Sequence, residues 1–376
     1  MKGFHIGYVA FLVVALFGTM SLEAGDGMYV MIPPESLEEL PLEDGVSYQS
    51  LTEEERLAYR EILWAVGYQE ENVLLSTKDP EVLDLAYNAM KNDHAEIFYI
   101  DGYSYIRYGR EEEPEGISFT PEYNRGFAEI LQARAGIDRY VNKFMLERGS
   151  SPSGYEKVKQ AYEYLITHTE YDLEAADSQN ICSAFLKGRS VCTGYARALQ
   201  YLLDDMGFQS VLVTGTVHGG VPHAWVMVFL DGAYYHIDPT WGDASYQLSE
   251  DSLLGRNAVP EVNYDYFLVR DKDIRRTHRM DHVVELPSCE SIQDNYFVRE
   301  GAYFEYLDIS QLERLFNEAY YEGRDCLTLK CADEEVYRRM RAYLLEEQHV
   351  FDYLRGEKEA VSYADKGELC SLSFWL

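Results

Sequence analysis

The chain has 376 residues, enough for two or three domains that each bury a hydrophobic core. Its 65 acidic and 33 basic residues give a formal net charge of −32, and no basic stripe interrupts the acidic excess. Nucleic-acid binding uses clustered Lys and Arg, so this charge argues against nucleic acid as a partner. An acidic excess of this kind usually reflects a solvated, soluble surface.

The N-terminal stretch predicts export. Lys2 and His5 precede an uncharged run at 6–22 that is rich in Val, Leu and Phe. A basic start followed by an apolar run is typical of a secretory signal peptide, here assigned to 1–24 with Ala24 as the best cleavage site. The run also reaches the lower limit of about 17 residues for a spanning helix, so an uncleaved membrane anchor is the alternative. We therefore expect a secreted or extracytoplasmic membrane-anchored protein.

Composition divides the rest of the chain into four segments. Residues 25–50 carry Pro33-Pro34 and Pro41 and predict a linker. Residues 51–149 predict a small α/β module, and Ser151-Pro152-Ser153-Gly154 marks the boundary to a central segment at 150–287. Residues 288–376 predict a small C-terminal α+β domain. Neither flanking module shows a catalytic constellation.

Local patterns predict several elements in the flanking modules. In the N-terminal module, a capping box at Thr52 and the pair Asp79-Pro80 each predict a helix start. Asp101-Gly102 predicts the turn of a hairpin, and Pro121 predicts the start of a long helix that ends near residue 146. In the C-terminal domain, Glu300-Gly301 predicts another hairpin turn.

The central segment has a cysteine at a predicted helix start. Gly188-Arg189-Ser190 reads as a loop with Ser190 as the N-cap, and apolar residues at helical spacing follow from Ala196 to Met206. Cys192 then lies in the first turn, where the backbone N–H groups and the helix dipole favour a thiolate. Taken alone, such a cysteine is more often a buried small apolar residue.

A predicted hairpin follows this helix. Residues 223–230 and 233–238 are strand-like, and Asp231-Gly232 between them is a strong turn signal. A two-residue turn pairs Leu230 with Ala233 and brings Asp238 within diagonal reach of His223. A thiol, an imidazole and a carboxylate can then converge. The imidazole would hold the thiol as thiolate, and the carboxylate would fix the imidazole tautomer.

Three sequence blocks in this region occur in a characteristic order: Gly-x-x-Val-Cys-x-Gly-Tyr-Ala from Gly188, His-Ala-Trp from His223, and Tyr-Tyr-x-x-Asp-Pro-Thr-Trp from Tyr234. They resemble the transglutaminase-like superfamily, especially its bacterial secreted, cysteine-protease-like members, with the strong match at about 155–245. The resemblance implies a papain/transglutaminase-like α+β fold, in which a Cys-bearing helix packs on an antiparallel sheet that carries His and Asp. It places the family's catalytic residues at Cys192, His223 and Asp238. A pair like Thr277-His278 also follows the core in such relatives, and no chemistry is assigned to it.

Acyl transfer from an amide also needs an oxyanion stabiliser. The backbone N–H of Cys192 is one expected donor. Gln179 is the candidate for the second, because its amide can donate and the family often has Ser-Gln here. Tyr171 is the competing candidate, and for either side chain a structural role is the more common one. The residues expected to wall the cleft are Gly194, Trp225 and Trp241.

A zinc site is the alternative use of these side chains. His236 shares a face with Asp238, and Cys192, His223, His236 and Asp238 are all types that bind zinc. A cysteine at a helix start and a diagonal His–Asp pair suit a triad better, so no metal or organic cofactor is expected. If Cys192 stays free, five cysteines remain, so we predict no disulfide framework, although one bridge is left open.

The resemblance therefore implies thiol acyl transfer on protein or peptide amides through a catalytic triad, chiefly as a cysteine peptidase or amidohydrolase. Cys192 would attack the carbonyl, His223 would activate the thiol and protonate the leaving group, and Asp238 would orient His223. The alternatives are a cross-linking transglutaminase or deamidase, and a catalytically idle cell-surface module that binds peptide or wall polymer. The expected partner is a protein or peptide substrate at the cell surface.

Overall fold

The computed structural model describes residues 21–24, 27–38, 40, 45–110, 113–150, 153–243, 262–356 and 358–376. The signal peptide or anchor predicted for 1–24 lies outside the described residues, apart from its last four. Across the described ranges, no helix combines the length and the apolar character needed to cross a bilayer.

The structure mixes helices and strands. The helices are α1 (Pro34–Glu38), α2 (Val46–Ser50), α3 (Glu53–Tyr68), α4 (Pro80–Asp93), α5 (Phe127–Glu147), α6 (Gly154–Thr167), α7 (Cys192–Asp205), α8 (Pro239–Gly242), α9 (Asp271–Ile274), α10 (Tyr296–Arg299), α11 (Ile309–Glu322), α12 (Glu334–Arg341) and α13 (Val350–Tyr353). The strands are β1 (Ser21–Ala24), β2 (Gly27–Val30), β3 (Val73–Leu75), β4 (Ile100–Arg110), β5 (Glu113–Tyr123), β6 (Glu170–Tyr171), β7 (Arg189–Ser190), β8 (Ser210–Val217), β9 (Val221–Leu230), β10 (Ala233–Ile237), β11 (Phe267–Val269), β12 (Arg279–Met280), β13 (Tyr303–Phe304), β14 (Cys326–Cys331), β15 (Tyr363–Lys366) and β16 (Ser371–Trp375).

The chain divides into two compact units. The first comprises the described residues up to 136 together with 282–286, and the second comprises the described residues of 137–281 and 287–376. The domain boundaries placed at 149/150 and 287/288 from sequence remain predictions.

The first unit contains a sheet in the order β1-β2-β3-β5-β4. Two of the expected helix starts are confirmed: Thr52 and Glu55 form a reciprocal capping box at α3, and Asp79 caps α4. The segment expected as a linker contributes β2, which pairs with β3, and α2, which buries Val46. The carboxylate of Asp93 accepts hydrogen bonds from the backbone of this helix at 2.8 and 2.9 Å, which ties the segment to α4.

Two expectations in this unit are wrong. Asp101-Gly102 does not turn the chain but lies inside β4, where the register with β5 shifts between Ile100 and Gly102. The dipeptide therefore marks a β-bulge, because β4 pairs with β5 and not with the residues before it.

Pro121 lies in β5 opposite Tyr103, and the long helix α5 begins only at Phe127. A proline is tolerated there because β3 pairs with β5 only through residue 119, so no hydrogen bond is required on that side.

The second unit contains an antiparallel sheet in the order β11-β10-β9-β8-β12. Leu230 pairs with Ala233, and Asp231 and Gly232 have φ of 48° and 91°. Two positive φ values are those of a type I′ turn, so the hairpin prediction is confirmed. Helix α7 packs on this sheet through buried residues such as Leu199. The expected α+β core, with the cysteine-bearing helix on an antiparallel sheet, is therefore confirmed.

A second sheet in this unit has the order β13-β14-β16-β15. The hairpin expected around Glu300-Gly301 is wrong, because Tyr296–Arg299 is the helix α10 and β13 runs parallel to β14. The side chain of Asn295 accepts a hydrogen bond from the backbone N–H of Phe297 at 3.1 Å. This cap starts a helix in an aromatic run that resembles a strand by composition alone.

Candidate active site

Cys192 is the first residue of α7, and its side chain is half-buried. The N-cap is Val191, which makes no side-chain cap bond, so Ser190 is not the cap expected from sequence. The buried hydroxyl of Ser190 instead lies 2.6 Å from the Ser183 hydroxyl and donates to the carbonyl of Ser178 at 3.2 Å. These bonds hold the segment before the cysteine against the segment around 178–183.

Gly194 makes this close packing fit. A Cβ at this position would lie 2.6 Å from the carbonyl oxygen of Ser178 and 2.8 Å from the Ser183 hydroxyl, closer than real Cβ contacts. Gly194 is buried, so it spaces two backbone segments and does not wall an open cleft. The same contact places the exposed Gln179, which follows Ser178 in the chain, beside the first turn of α7.

His223 on β9 and Asp238 after β10 are in direct contact. His223 Nε2 lies 2.8 Å from Asp238 Oδ2, and their side chains are only 4% and 0% exposed. The other oxygen, Oδ1, accepts the backbone N–H groups of Thr240 and Trp241 at 2.9 and 3.2 Å, so Asp238 also caps α8. The carboxylate is fixed at both oxygens, and the diagonal His–Asp contact expected from the hairpin is present.

The His223 side chain and the backbone of Ala224 lie close enough to the Cys192 thiol to lower its pKa. Because Nε2 of His223 faces Asp238, Nδ1 is the ring nitrogen left for the sulfur. The structure thus places Cys192, at the start of α7, beside the hydrogen-bonded pair of His223 and Asp238.

The electrostatics favour a thiolate–imidazolium pair. Burial by itself would raise the pKa of the Cys192 thiol, but the hydrogen bond and charge of His223 outweigh it and the pKa is lowered. Burial would lower the pKa of His223, yet Asp238 and Cys192 together raise it to about 10. Burial opposes ionisation of Asp238 too, but its imidazole partners hold the pKa of this carboxyl well below its usual range.

The direction of its pKa shift distinguishes Cys192 from other thiols of the chain. All six cysteines are free thiols. Burial raises the pKa of Cys289, Cys331 and Cys326, the last to about 11, and it also raises that of Cys370. A nucleophilic thiol is one with a lowered pKa and some exposure, so Cys192 is the candidate nucleophile.

A second imidazole reaches the same carboxylate. His278 Nε2 lies 3.1 Å from Asp238 Oδ2, and the His278 side chain is fully buried. Its Nδ1 lies 2.7 Å from the hydroxyl of Thr277. Sequence reasoning gave this pair no role, and the only signal available was the Thr-His match to the bacterial relatives.

His236 is engaged away from the triad. Its Nε2 lies 2.9 Å from Asp271 Oδ1, and its Nδ1 accepts the indole N–H of Trp225 at 3.1 Å. The four residues considered as zinc ligands are therefore not brought to one point. His236, Asp271 and Cys289 do cluster, but the Trp225 N–H assigns the imidazole proton to Nε2, which then has no lone pair for a metal.

The remaining sequence candidates occupy different environments. Trp225 is fully buried and belongs to the core, so it does not wall an open cleft. Trp241 is half-buried, with its ring 6.0 Å from that of His223 and 4.9 Å from that of His278. Tyr171 is half-buried in β6, which pairs with β7 just before Cys192. The oxyanion roles of Tyr171 and Gln179 remain predictions.

Comparison with known proteins agrees with this architecture. A profile of the Transglutaminase-like superfamily matches residues 140–239. The kyphoscoliosis peptidase of Mus musculus is 26% identical over 131 residues, which cover 31% of this chain and 19% of that protein. The kyphoscoliosis peptidase of Homo sapiens is 25% identical over 132 residues, which cover 31% of this chain and 20% of that protein. The match thus spans about a fifth of the length of these relatives.

Among solved structures, a protein described as a TGase shares 16% identity, with 43% of this chain and 50% of that chain covered and a TM-score of 0.29. The segment matched by the profile includes the cysteine-bearing helix and the hairpin that carries His223 and Asp238. Residues 140–239 of this chain are therefore a transglutaminase-like domain.

Proposed function

We propose that the protein is a thiol acyl-transfer enzyme that acts on amide bonds of proteins or peptides, chiefly by hydrolysis. The observation that carries this proposal is the buried, hydrogen-bonded pair of His223 and Asp238 beside the half-buried thiol of Cys192, whose pKa His223 lowers. The transglutaminase-like domain around these residues supports the same class of chemistry.

The geometry suggests a two-step reaction. The Cys192 thiolate attacks the amide carbonyl, and the imidazolium of His223 gives its proton to the departing amine as the C–N bond breaks. Water then attacks the thioester, with His223 taking a proton from the water and returning it to the sulfur as the C–S bond breaks. Asp238 keeps His223 in the tautomer and orientation that both steps need.

Developing negative charge on the carbonyl oxygen needs hydrogen-bond donors. Cys192 is the first residue of α7, so its backbone N–H has no partner within the helix and is one proposed donor. Gln179 is the proposed second donor, because its segment packs on the first turn of α7. Tyr171 remains the alternative.

Hydrolysis is favoured over transfer to an amine for two reasons. The mouse and human relatives are named peptidases. Water is also the acceptor present in excess at any exposed thioester. A primary amine acceptor would instead give cross-linking, with the same acyl-enzyme.

The nucleophile is tested without knowing the substrate. We expect iodoacetamide at pH 6 to label Cys192 faster than the other thiols, because its lowered pKa leaves a larger thiolate fraction than that of an ordinary thiol of pKa about 8.5, which is under 1% thiolate. Peptide mapping by mass spectrometry locates the label. His223→Ala should slow labelling of Cys192 at pH 6 at least about tenfold, since the charge partner is lost. Cys326→Ala, which removes a half-buried thiol of raised pKa, is the matched control and should leave the labelling rate unchanged.

Turnover is tested with a fluorogenic peptide library and with glutamine-containing peptides, each with and without a primary amine. Peptide cleavage or ammonia release that disappears in Cys192→Ala supports the proposal, and amine incorporation would move it to cross-linking. A reactive Cys192 without turnover on any of these substrates, or turnover that survives in Cys192→Ala, contradicts it.

We also propose that the protein acts outside the cytoplasm, on the strength of the apolar run at 6–22. Cell fractionation and the mass of the N-terminal peptide test this. A cytoplasmic protein that retains residues 1–24 would contradict it.

A further inference from the structure

The carboxylate of Asp238 has four hydrogen-bond donors around it. Oδ1 accepts two backbone N–H groups, from Thr240 and Trp241. Oδ2 is shared by two imidazoles, with His223 Nε2 at 2.8 Å and His278 Nε2 at 3.1 Å. The proposed triad uses only the first of these imidazoles, so the second needs an explanation.

We propose that His278 is a positioning residue, which fixes Asp238 and, by sharing its Oδ2 oxygen, limits how strongly that carboxylate holds the proton on His223. This inference rests on the proposed function, because it assigns His278 a part in the same reaction. His278 acts through Asp238 and is given no contact with substrate.

The contacts of the two ring nitrogens of His278 determine which of them carries the proton. The Thr277 hydroxyl lies 2.7 Å from His278 Nδ1. If Nδ1 carried the proton, the Nε2 lone pair would face the Asp238 carboxylate, which is repulsive. The proton is therefore on Nε2, the Thr277 hydroxyl donates to Nδ1, and a chain of donors runs from Thr277 through His278 to Asp238.

Solvent does not compete for the contact between His278 and Asp238. The side chains of Asp238 and His278 are 0% exposed. In such a site an N–H donor to a carboxylate is a strong interaction, because water cannot replace it. Removing the His278 donor would leave Oδ2 of Asp238 with His223 as its single partner. The negative charge on this oxygen would then act on His223 alone.

The consequence is a defined change in proton affinity. Without the His278 donor, Asp238 would stabilise the His223 imidazolium more strongly, so the pKa of His223 would rise. A general acid that holds its proton too tightly transfers it less readily to the leaving amine. The titratable groups that interact with this chain, besides its own members and Cys192, include Tyr162, Tyr266 and His236.

The test uses alkylation of Cys192 in the full chain by iodoacetate as a function of pH. Iodoacetate is an anion that the His223 imidazolium attracts, so the rate of alkylation should fall at high pH as His223 loses its proton. This fall is the alkaline limb of the pH–rate profile, and its midpoint reports the pKa of His223. In His278→Leu we expect the limb to move up by about 0.5–1 pH unit. We expect kcat on any cleaved peptide to fall roughly 10- to 100-fold with KM little changed, as for loss of a bond to a charged group.

Two further variants separate positioning from structural support. His278→Gln keeps a side-chain N–H donor and should bring the limb back to within about 0.3 unit of the wild type. His236→Gln is the matched control, because His236 is also buried and paired with a carboxylate, Asp271, outside the triad. It should lower the thermal midpoint without moving the limb. If His278→Leu fails to fold, Thr277→Val should give a smaller shift in the same direction.

The two proposals fail separately. A wild-type profile with the pKa of an ordinary thiol and no alkaline limb would overturn both the function and this inference. A wild-type profile with the limb, but with His278→Leu unshifted or His278→Gln no closer to wild type than His278→Leu, would overturn the role of His278 alone.

Discussion

Gly194 shows how one small residue determines where the cysteine lies. It is buried, and the carbonyl of Ser178 and the hydroxyls of Ser183 and Ser190 occupy the space that a side chain would need. The segment that carries Gln179 can therefore lie directly on the first turn of α7. The glycine two residues after the thiol is required for space and not for an unusual backbone angle.

Replacing Gly194 with Ala should therefore destabilise the protein and disturb the site. The added methyl group must displace a backbone carbonyl, and overpacking of this kind costs about 1–3 kcal/mol. Urea unfolding measures the loss, and labelling of Cys192 at pH 6 should slow as the first turn shifts. The control is Gly207→Ala, where nothing lies within 4 Å and only the φ of 82° opposes the change, at a cost of about 1 kcal/mol. Equal costs for the two variants would contradict the spatial explanation.

At the residue scale, the sequence could predict the contact of His223 with Asp238, which lies within one hairpin. It could not predict the contact of His278 with Asp238, because His278 lies outside that hairpin. Asp231-Gly232 determines the register, so the approach of His223 and Asp238 follows from local chemistry. His278 is 40 residues from Asp238 in sequence, and its contact depends on how the chain returns to β12. Nothing in the local pattern of Thr277-His278 specifies that return.

Among the elements, Asp265 joins the site-bearing sheet to the C-terminal sheet. It lies two residues before β11, and its fully buried carboxylate contacts Lys366 of β15 at 2.7 Å and Lys330 of β14 at 3.6 Å. Burial would raise the pKa of Asp265, but the two ammonium groups lower it to about 2. A buried carboxylate between two lysines thus holds three strands from two sheets together.

Asp265→Asn should destabilise the second unit by about 3–5 kcal/mol at pH 7, because the nearly buried Lys330 loses its counter-ion. The wild-type pKa is depressed, so the contribution of Asp265 is present above the unfolded-state pKa of about 3.9 and is lost as pH falls towards about 2. Urea unfolding at several pH values should show the two proteins converging in acid. Glu335→Gln, in an exposed pair with Arg339, is the control and should cost at most about 1 kcal/mol. A gap that widens in acid would refute the ion-pair account.

Element prediction succeeded where a side chain caps a helix and failed where a dipeptide suggests a turn. Thr52 and Asp79 mark α3 and α4 correctly, because their cap bonds are local. Asp101-Gly102 and Glu300-Gly301 also fit turns locally. The first dipeptide lies inside β4 because β4 pairs with β5, and the second follows a helix that the Asn295 side chain caps. Both outcomes depend on residues outside the dipeptide.

For the whole molecule, the dominant property is the formal charge of −32. Many of the described ion pairs are exposed, and exposed pairs contribute little to stability. Repulsion among the excess carboxylates should therefore outweigh attraction at low ionic strength.

Raising NaCl from about 20 to 300 mM at pH 7 should increase the free energy of unfolding by about 1 kcal/mol or more, because salt screens this repulsion. Denaturation by urea, which is uncharged, measures the change. The same comparison near pH 4.6, the isoelectric point expected from sequence, is the control and should show little effect. Lower stability in salt at pH 7 would mean that attractive ion pairs dominate.

The order of strands in the second unit has a consequence for synthesis. The two edge strands of the five-stranded sheet, β11 and β12, come from residues 267–280, and they flank β8, β9 and β10 on opposite sides. Cys192, His223 and Asp238 all leave the ribosome before either edge strand does. A nascent chain can therefore pair β11 with β10 once residue 269 has emerged, but it carries the thiol beside an uncovered β8 edge until residue 280 has been translated.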